Sequence, residues 1–275
     1  MHRADRGTCT VVGLLIMIPR NPLTMVGRLS RCWLFTYRTP IDTIVPLLPS
    51  PLEPVSFGDF AFWNIVVCKV ENMRPRLSPV AFGISYWHIG YRIYVKVRTE
   101  SRQSGQPGRP GQSRHSESVE GQYFARSDCD NGLISMVGNI LTDYNFHSAA
   151  VEIKDLEGKT EIDVRSDGGH LLSLIDRQTP ARLSEYSPFK SIEEASDFLK
   201  YKPNGISVSK PGSINVVHIV RDEERWKSTP IHVETMCSQV IAEHQNCYPE
   251  LAFEVDPIDY QWNRGEQMKS EPSSK

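Results

Sequence analysis

The chain has 275 residues, of which 39% are hydrophobic and 23% charged, with a formal net charge of −2. That is ample apolar material for one large folded domain and excludes a wholly disordered chain. The near-neutral balance supplies no basic field to hold a phosphate backbone, so no nucleic-acid partner is expected.

Residues 11–18 are apolar and follow Arg3 and Arg6. The stretch lacks the small-residue cleavage pattern of a secretory signal and falls well short of the ~20 apolar residues of a spanning helix. Residues 1–18 therefore read as a flexible extension, with Met17 and Met25 as alternative starts. The expected location is the cytoplasm, with no membrane partner. Six scattered cysteines, Cys9, Cys32, Cys68, Cys129, Cys237 and Cys247, share no repeated spacing and read as reduced thiols rather than disulfide staples.

The first strand carries Trp33, Leu34, Phe35 and Tyr37 and stops at Thr39-Pro40. A short helix with Ile41, Ile44, Val45 and Leu48 follows, and Pro49, Pro51 and Pro54 end it. Residues 60–70 form an apolar run rich in β-branched and aromatic side chains, which fits a strand covered on both faces. Pro75 and Pro79 make 73–79 a loop. Residues 84–98 alternate: Trp87, Ile89, Tyr91, Ile93, Val95 and Val97 share one face, and Tyr86, His88, Arg92, Tyr94, Lys96 and Arg98 the other. Such a polar row faces solvent in an open sheet, but it lines a cavity if the sheet closes on itself.

Residues 101–120 are rich in Gly, Pro, Ser and Arg and read as a flexible insertion at a hairpin tip. Beyond it the pattern predicts a strand over 121–127, a turn over 128–132, and a short helix with an irregular segment over 133–147. Later strands are expected over 149–154, 160–165, 205–209 and 214–220. Ser191-Ile192-Glu193-Glu194 is a capping box opening a helix whose Ile192, Ala195, Phe198 and Leu199 share a face. Residues 265–275 form a polar tail expected to be disordered. With no internal repeat and no second composition regime, 19–264 is expected to be a single domain.

Few constellations suggest chemistry. His232, Cys237, His244 and Cys247 mix metal-binding side chains, but none has the tight cysteine spacing of a zinc knuckle, so no metal is expected. Gly168-Gly169-His170 lacks the lysine and hydroxyl of a phosphate loop and reads as a turn. No Gly-x-Ser-x-Gly elbow is present. His147 is a candidate proton carrier, because an imidazole titrates near neutral pH, and Tyr144 beside it either orients a ligand or caps the turn.

Five blocks carry a resemblance: Cys32 through Arg38, Asn72 through Pro75, Tyr86 through Arg92, Gly121 through Phe124, and Gly138-Asn139 through Tyr144-Asn145-Phe146-His147. Together they resemble an uncharacterised bacterial branch of the acetoacetate-decarboxylase-like superfamily, a domain of unknown function. The resemblance implies an α+β, mostly β domain, a curved antiparallel sheet closed into a barrel or cone with a few peripheral helices, and a possible homo-oligomer. In acetoacetate decarboxylase itself a lysine pair forms the Schiff base, the second lysine depressing the pKa of the first. The matching positions here are Phe146 and His147, with Asn139 and Ile140 at the preceding turn. Neither Phe146 nor His147 forms an imine, so lysine-dependent decarboxylation is not expected and no cofactor is implied. Lys69 and Lys96 lie outside the matching motif. The family's Tyr-x-Glu becomes Tyr86-Trp87-His88, while Arg38 matches the arginine that resembling enzymes aim at a substrate carboxylate, a task suited to a planar guanidinium.

The expected site thus comprises His147 and His88 as acid–base groups, with Arg38, Tyr37, Trp63, Tyr86, Arg92, Asn139 and Tyr144 around the ligand. Three readings stay open at this point. One is binding of a small carboxylate or oxo compound in a central cavity. The second is a lyase or isomerase that uses His147 or His88. The third is a non-catalytic structural or partner-binding domain whose interior is filled by aromatics such as Trp63 and Trp87.

Overall fold

The computed structural model describes residues 19–100, 116–200, 202–210 and 213–269. The expected extension over 1–18, most of the insertion and the end of the tail lie outside these residues.

The long β-branched and aromatic runs become long strands. β1 (Met25–Pro40) is antiparallel to β4 (Phe60–Pro75) along its whole length, from Met25 opposite Pro75 to Pro40 opposite Phe60. Between them lie α1 (Ile41–Ile44), a 3-10 turn over Val45–Leu47, and two short strands, β2 (Glu53–Pro54) and β3 (Ser56–Phe57). The loop expected over 73–79 is shorter than predicted, because Arg74 and Pro75 still find partners on β1. β5 (Ile84–Glu100) pairs with β4 and with β6 (Ser116–Cys129). Residues 116–120, read as part of the insertion, continue the β5–β6 ladder instead.

α2 (Gly132–Leu141) follows, its first turn capped by Asn131, whose Oδ1 accepts from the Leu133 and Ile134 amides at 3.1 Å each. Then come β7 (Phe146–Leu156), β8 (Lys159–Ser166) and β9 (Gly169–Asp176). The capping box opens α3 (Ile192–Leu199): Ser191 Oγ accepts from Glu194 N at 3.2 Å, while the Glu194 carboxylate reaches back to Lys190 N at 2.6 Å. β10 (Asn204–Lys210), β11 (Ser213–Arg221), β12 (Ser228–Ser238), the single turn α4 (Gln239–Ala242), β13 (Tyr248–Val255) and β14 (Ile258–Trp262) complete the order with β15 (Glu266–Lys269). β15 pairs with β11, so 266–269 is structured rather than part of a disordered tail.

The fold is mostly β with a few short helices, as expected. Its strand pairing returns on itself twice. One ring runs β1, β4, β5, β6, β10, β11, β14 and back to β1; the other leaves β6 through β7, β8, β9, β12 and β13 to reach β1 again. The strands β1, β4, β5 and β6 form a wall common to both. Period-two alternation gives that wall two apolar faces. Trp33, Phe35, Tyr37, Trp63, Ile65 and Tyr91 pack on one core. Cys32, Leu34, Phe62, Val66, Cys68 and Tyr86 pack on the other. Two cores sharing a wall explain why residues 60–70 carry no polar face.

Closure of the first ring rests on a narrow parallel contact, Gly205 opposite Gln122 and Ile206 opposite Tyr123. The approach needs a glycine: a Cβ on Gly121 would stand 2.5 Å from the Asn204 carbonyl oxygen.

Candidate binding cavity

Inside the first ring is a cavity of about 200 Å³. Its shared wall contributes Cys32 and Leu34 from β1, Cys68 from β4, Tyr86, His88 and Arg92 from β5, and Phe124 from β6. Val217 and Ile219 of β11 and Tyr260 and Trp262 of β14 face them. The apolar side of α2 covers one end with Ile134, Val137 and Leu141.

α2 is held in that position by the segment that follows it. Asn139 Nδ2 donates to the Phe146 carbonyl and Asn139 Oδ1 accepts from the Phe146 amide, both at 2.7 Å, which latches the helix to the start of β7. Gly138 lets the Phe146 ring lie against the helix backbone, since a Cβ there would be 2.5 Å from that ring. The chain between them brings Tyr144 and Phe146 inward. Tyr144 stacks on Phe124 at 4.3 Å between centroids, and Phe146 stands 5.5 Å from the His88 ring.

Two polar groups of the cavity, Arg92 and His88, come from one face of β5, while Asn21, Thr142, Tyr144 and Asn263 line it elsewhere. Arg92 is 3% exposed, lies 5.9 Å from the Phe124 centroid and donates to Asn64 Oδ1, itself fully buried. His88 Nε2 is buried and makes no hydrogen bond. Beside them the register aligns Cys32 opposite Cys68, Cys68 opposite His88, and His88 opposite Cys129. The interaction of the two facing thiols drives Cys32 well up and Cys68 down; burial opposes the second change, and His88 and Arg92 assist it. The two thiols titrate as a coupled pair. Burial raises the Tyr86 hydroxyl, and the charge of Cys68 raises it further.

Of the nine residues proposed from the sequence, four meet in this cavity: Tyr86, His88, Arg92 and Tyr144. Tyr86, His88, Arg92 and Tyr94 of the β5 polar row face an interior, whereas Lys96 and Arg98 near the strand's end reach solvent. The other five lie elsewhere. Arg38 shares a β1 face with Cys32 but sits six residues farther along, roughly 20 Å at strand rise. Its guanidinium is consumed in a buried ion pair with Glu250 at 2.6 Å, with the Ser184 hydroxyl at 3.4 Å. Tyr37 and Trp63 belong to the opposite face of the wall, where Trp63 stacks on His244 at 5.1 Å. Asn139 is the latch just described. His147 follows Phe146 on a strand and so points the other way: Nδ1 meets Asp167 Oδ2 at 3.0 Å and Nε2 meets Asn145 Oδ1 at 3.2 Å. Arg126 joins that group through Asp128 at 2.7 Å and Asp167 at 2.6 Å; Arg126 first and His147 second hold the Asp167 carboxyl down at about 2.

Cys32, Cys68, Phe124 and Phe146 are lining residues that sequence reading did not select. The available signal was parity, since Cys32 precedes Leu34 by two and Cys68 follows Val66 by two. Neither lysine outside the motif enters the cavity: Lys69 Nζ lies 5.4 Å from the Trp87 ring, and Lys96 pairs with Glu53 at 3.9 Å. Among the described residues, His232, Cys237, His244 and Cys247 do not converge on a metal-binding group. No helix among them is long and apolar enough to cross a membrane.

A family model for DUF2071, described as an uncharacterized conserved protein, matches residues 27–200, which include most of the shared wall and all of α2. The chain belongs to this family. Among solved structures, this DUF2071 protein is similar to an acetoacetate decarboxylase-like enzyme from Sphingomonas wittichii RW1, with a TM-score of 0.55, 11% identity, and coverage of 91% of this chain and 94% of that one. The acetoacetate decarboxylase of Legionella pneumophila matches with a TM-score of 0.54 and 11% identity over 98% and 99% of the two chains. The enduracididine biosynthesis enzyme MppR, solved with pyruvate, matches with a TM-score of 0.52 and 8% identity over 91% of each. At these identities the likeness is one of fold. No curated protein matches the chain.

Proposed function

We propose that the first ring works as a barrel-like container for a small organic acid or oxo compound, its apolar body against Leu34, Val66 and Phe124 and its polar head toward Arg92 and His88. The observation that carries this reading is a buried guanidinium and an unsatisfied imidazole nitrogen on one face of a cavity otherwise lined mainly by apolar side chains. A guanidinium in that setting favours a carboxylate or a polarised carbonyl oxygen. The volume suits a ligand smaller than the occupants of typical ~300–1,000 Å³ pockets. A pyruvate complex in a protein of the same fold supports the ligand class. The anchoring role expected of Arg38 passes to Arg92. The reading places the protein in the cytoplasm, where thiols such as Cys32 and Cys68 stay reduced.

A thermal-shift panel of small carboxylates and 2-oxo acids, run on wild type, Arg92→Met and His88→Gln, tests it. A ligand at a hundred times its Kd stabilises the native state by about 2.7 kcal/mol, roughly 5–11 °C in Tm for a chain of this size. The expected result is a ligand-specific shift that Arg92→Met removes and His88→Gln reduces. Equal shifts in wild type and both variants would overturn the assignment. The acid–base reading narrows to His88, because His147 faces away from the cavity.

A further inference from the structure

The thiols of the cavity wall have no part in the binding reading above, yet they line the same space. Cys32 is 3% exposed and Cys68 4%, both are free, and both line the cavity. They stand opposite each other on β1 and β4, and the next residue in the same row is His88. The fourth member, Cys129, is occupied differently: its sulfur donates to the Asn131 carbonyl at 3.2 Å and accepts from the Asn131 amide at 3.3 Å, and it lies outside the cavity. What remains facing the ligand space is a thiol pair with an imidazole beside it whose Nε2 has no hydrogen bond.

We propose that Cys68 is a nucleophile toward the carbonyl carbon of an oxo compound held in this cavity, with His88 supplying the proton to the carbonyl oxygen. The inference rests on the cavity being a binding site for such compounds. In the step, the Cys68 S–H passes its proton to His88 as the sulfur forms a C–S bond, the carbonyl π pair moves to oxygen, and that oxygen takes a proton back from the imidazole. The product is a thiohemiacetal, with His88 returned to the state in which it began. Reversal restores the carbonyl and the thiol, and no oxidant or reductant is consumed. An aldehyde, the carbonyl least hindered toward addition, is the class that fits a cavity of this size.

The reactive form of a cysteine is its thiolate, and thiolates form beside cationic or hydrogen-bond-donating groups. Around Cys68 those groups are Cys32 from β1, which faces it, and His88 and Arg92 from β5; Tyr86 of β5 also faces it, and Arg221 of β11 acts on Cys32. These surroundings hold Cys68 below the ordinary thiol range and so favour its thiolate. Cys32 serves as a positioning residue through its S–H.

Two measurements on the full chain test the proposal. In the first, iodoacetamide alkylation of wild type is followed by peptide mass mapping as a function of pH, which needs no variant. Cys68 is expected to reach half its maximal rate below about pH 7, under the ~8.5 of a free thiol; His88→Gln moves the Cys68 inflection upward. In the second, propanal isotopically labelled at its carbonyl carbon is followed by carbon NMR. A protein-dependent tetrahedral-carbon signal is expected in wild type and in Cys237→Ser and is expected to be absent from Cys68→Ser. Alkylation of Cys68 only in the alkaline range, or a labelled adduct that survives Cys68→Ser, would overturn the proposal. Isobutyrate, which cannot form the adduct, separates the two readings by thermal shift. Stabilisation by isobutyrate without a propanal adduct sinks the nucleophile alone. Neither stabilisation nor adduct sinks the binding site with it.

Discussion

The ion pair between Arg38 and Glu250 separates a ligand anchor from a structural strut. Arg38 NH1 lies 2.6 Å from Glu250 Oε2, and the two side chains are 5% and 0% exposed. The other carboxylate oxygen, Oε1, is buried without a hydrogen bond. Replacing Arg38 with Met keeps most of the stem's packing but strands the Glu250 carboxylate in the interior. Removing one partner of a buried pair costs roughly 3–5 kcal/mol, mainly because the remaining charge is left desolvated and alone. For a chain of this size that is roughly 6–20 °C in Tm. Replacing both partners removes the stranded charge, and such double replacements range from neutral to about 1–4 kcal/mol more stable than the pair. A double-mutant cycle of Arg38→Met and Glu250→Leu, followed by urea denaturation, is therefore expected to be strongly non-additive, the double variant lying near or above wild type. Ligand-induced thermal shifts are expected to persist in the double variant, because Arg38 lies outside the cavity. If Arg38→Met leaves stability within about 0.5 kcal/mol of wild type, the size of an ordinary surface change, and abolishes the response to carboxylates, the structural reasoning fails and Arg38 is the anchor.

Two further perturbations test the architecture around the cavity. Gly121→Ala places a methyl 2.5 Å from the Asn204 carbonyl oxygen and 2.8 Å from the Ile206 side chain; a cost of about 1–3 kcal/mol is expected from overpacking, with faster amide exchange at Tyr123 and Ile206, and unchanged exchange there would show that ring closure does not depend on the glycine. Burial lowers the pKa of His244 against Trp63, with Glu243 opposing. The folded state therefore prefers the neutral ring, and the unfolded state binds more protons below about pH 6.5, so stability is present above that pH and is lost as pH falls toward the depressed folded value. His244→Phe keeps the stack without the titration and is expected to flatten denaturation midpoints across that acid window; an unchanged pH dependence would refute the assignment.

Strand identity was legible where side chains had one environment per face. The alternation in 84–98 gave both faces of β5 correctly, and the Ser191 capping box gave α3 at its boundary. Closure was legible only through the family resemblance. Whether His88 and Arg92 face water or an interior depends on β11 and β14, more than a hundred residues away, and nothing local to β5 encodes that encounter. The same gap explains Arg38. A strand-end arginine among aromatics has the composition of a carboxylate site, but its partner, Glu250, is distant in sequence and lies on a strand that periodicity did not reveal. His147 was misplaced by a different cause: motif alignment fixes a position in the chain, while the pleat of β7 sends Phe146 inward and His147 outward.

The resemblance read from the sequence sets Phe146 against a lysine position of the related enzymes, and an aromatic ring at that place changes more than one functional group. An ammonium in this cavity would need solvation or counter-charge; an aromatic ring packed on Gly138 and beside His88 needs neither, and it extends the apolar lining to the end of the chamber. Under the proposed binding role, the polar contacts lie on the wall shared by both rings, on the β4–β5 face that carries Cys68, His88 and Arg92. That wall is the more rigid support, since β1, β4 and β5 are each paired on both sides by long strands, whereas β7 meets β6 through three residue pairs. A site that must hold a sulfur, an imidazole and a guanidinium in fixed relation is better served there, because adjacent strands in register set the spacing of the row through the backbone ladder rather than through a loop.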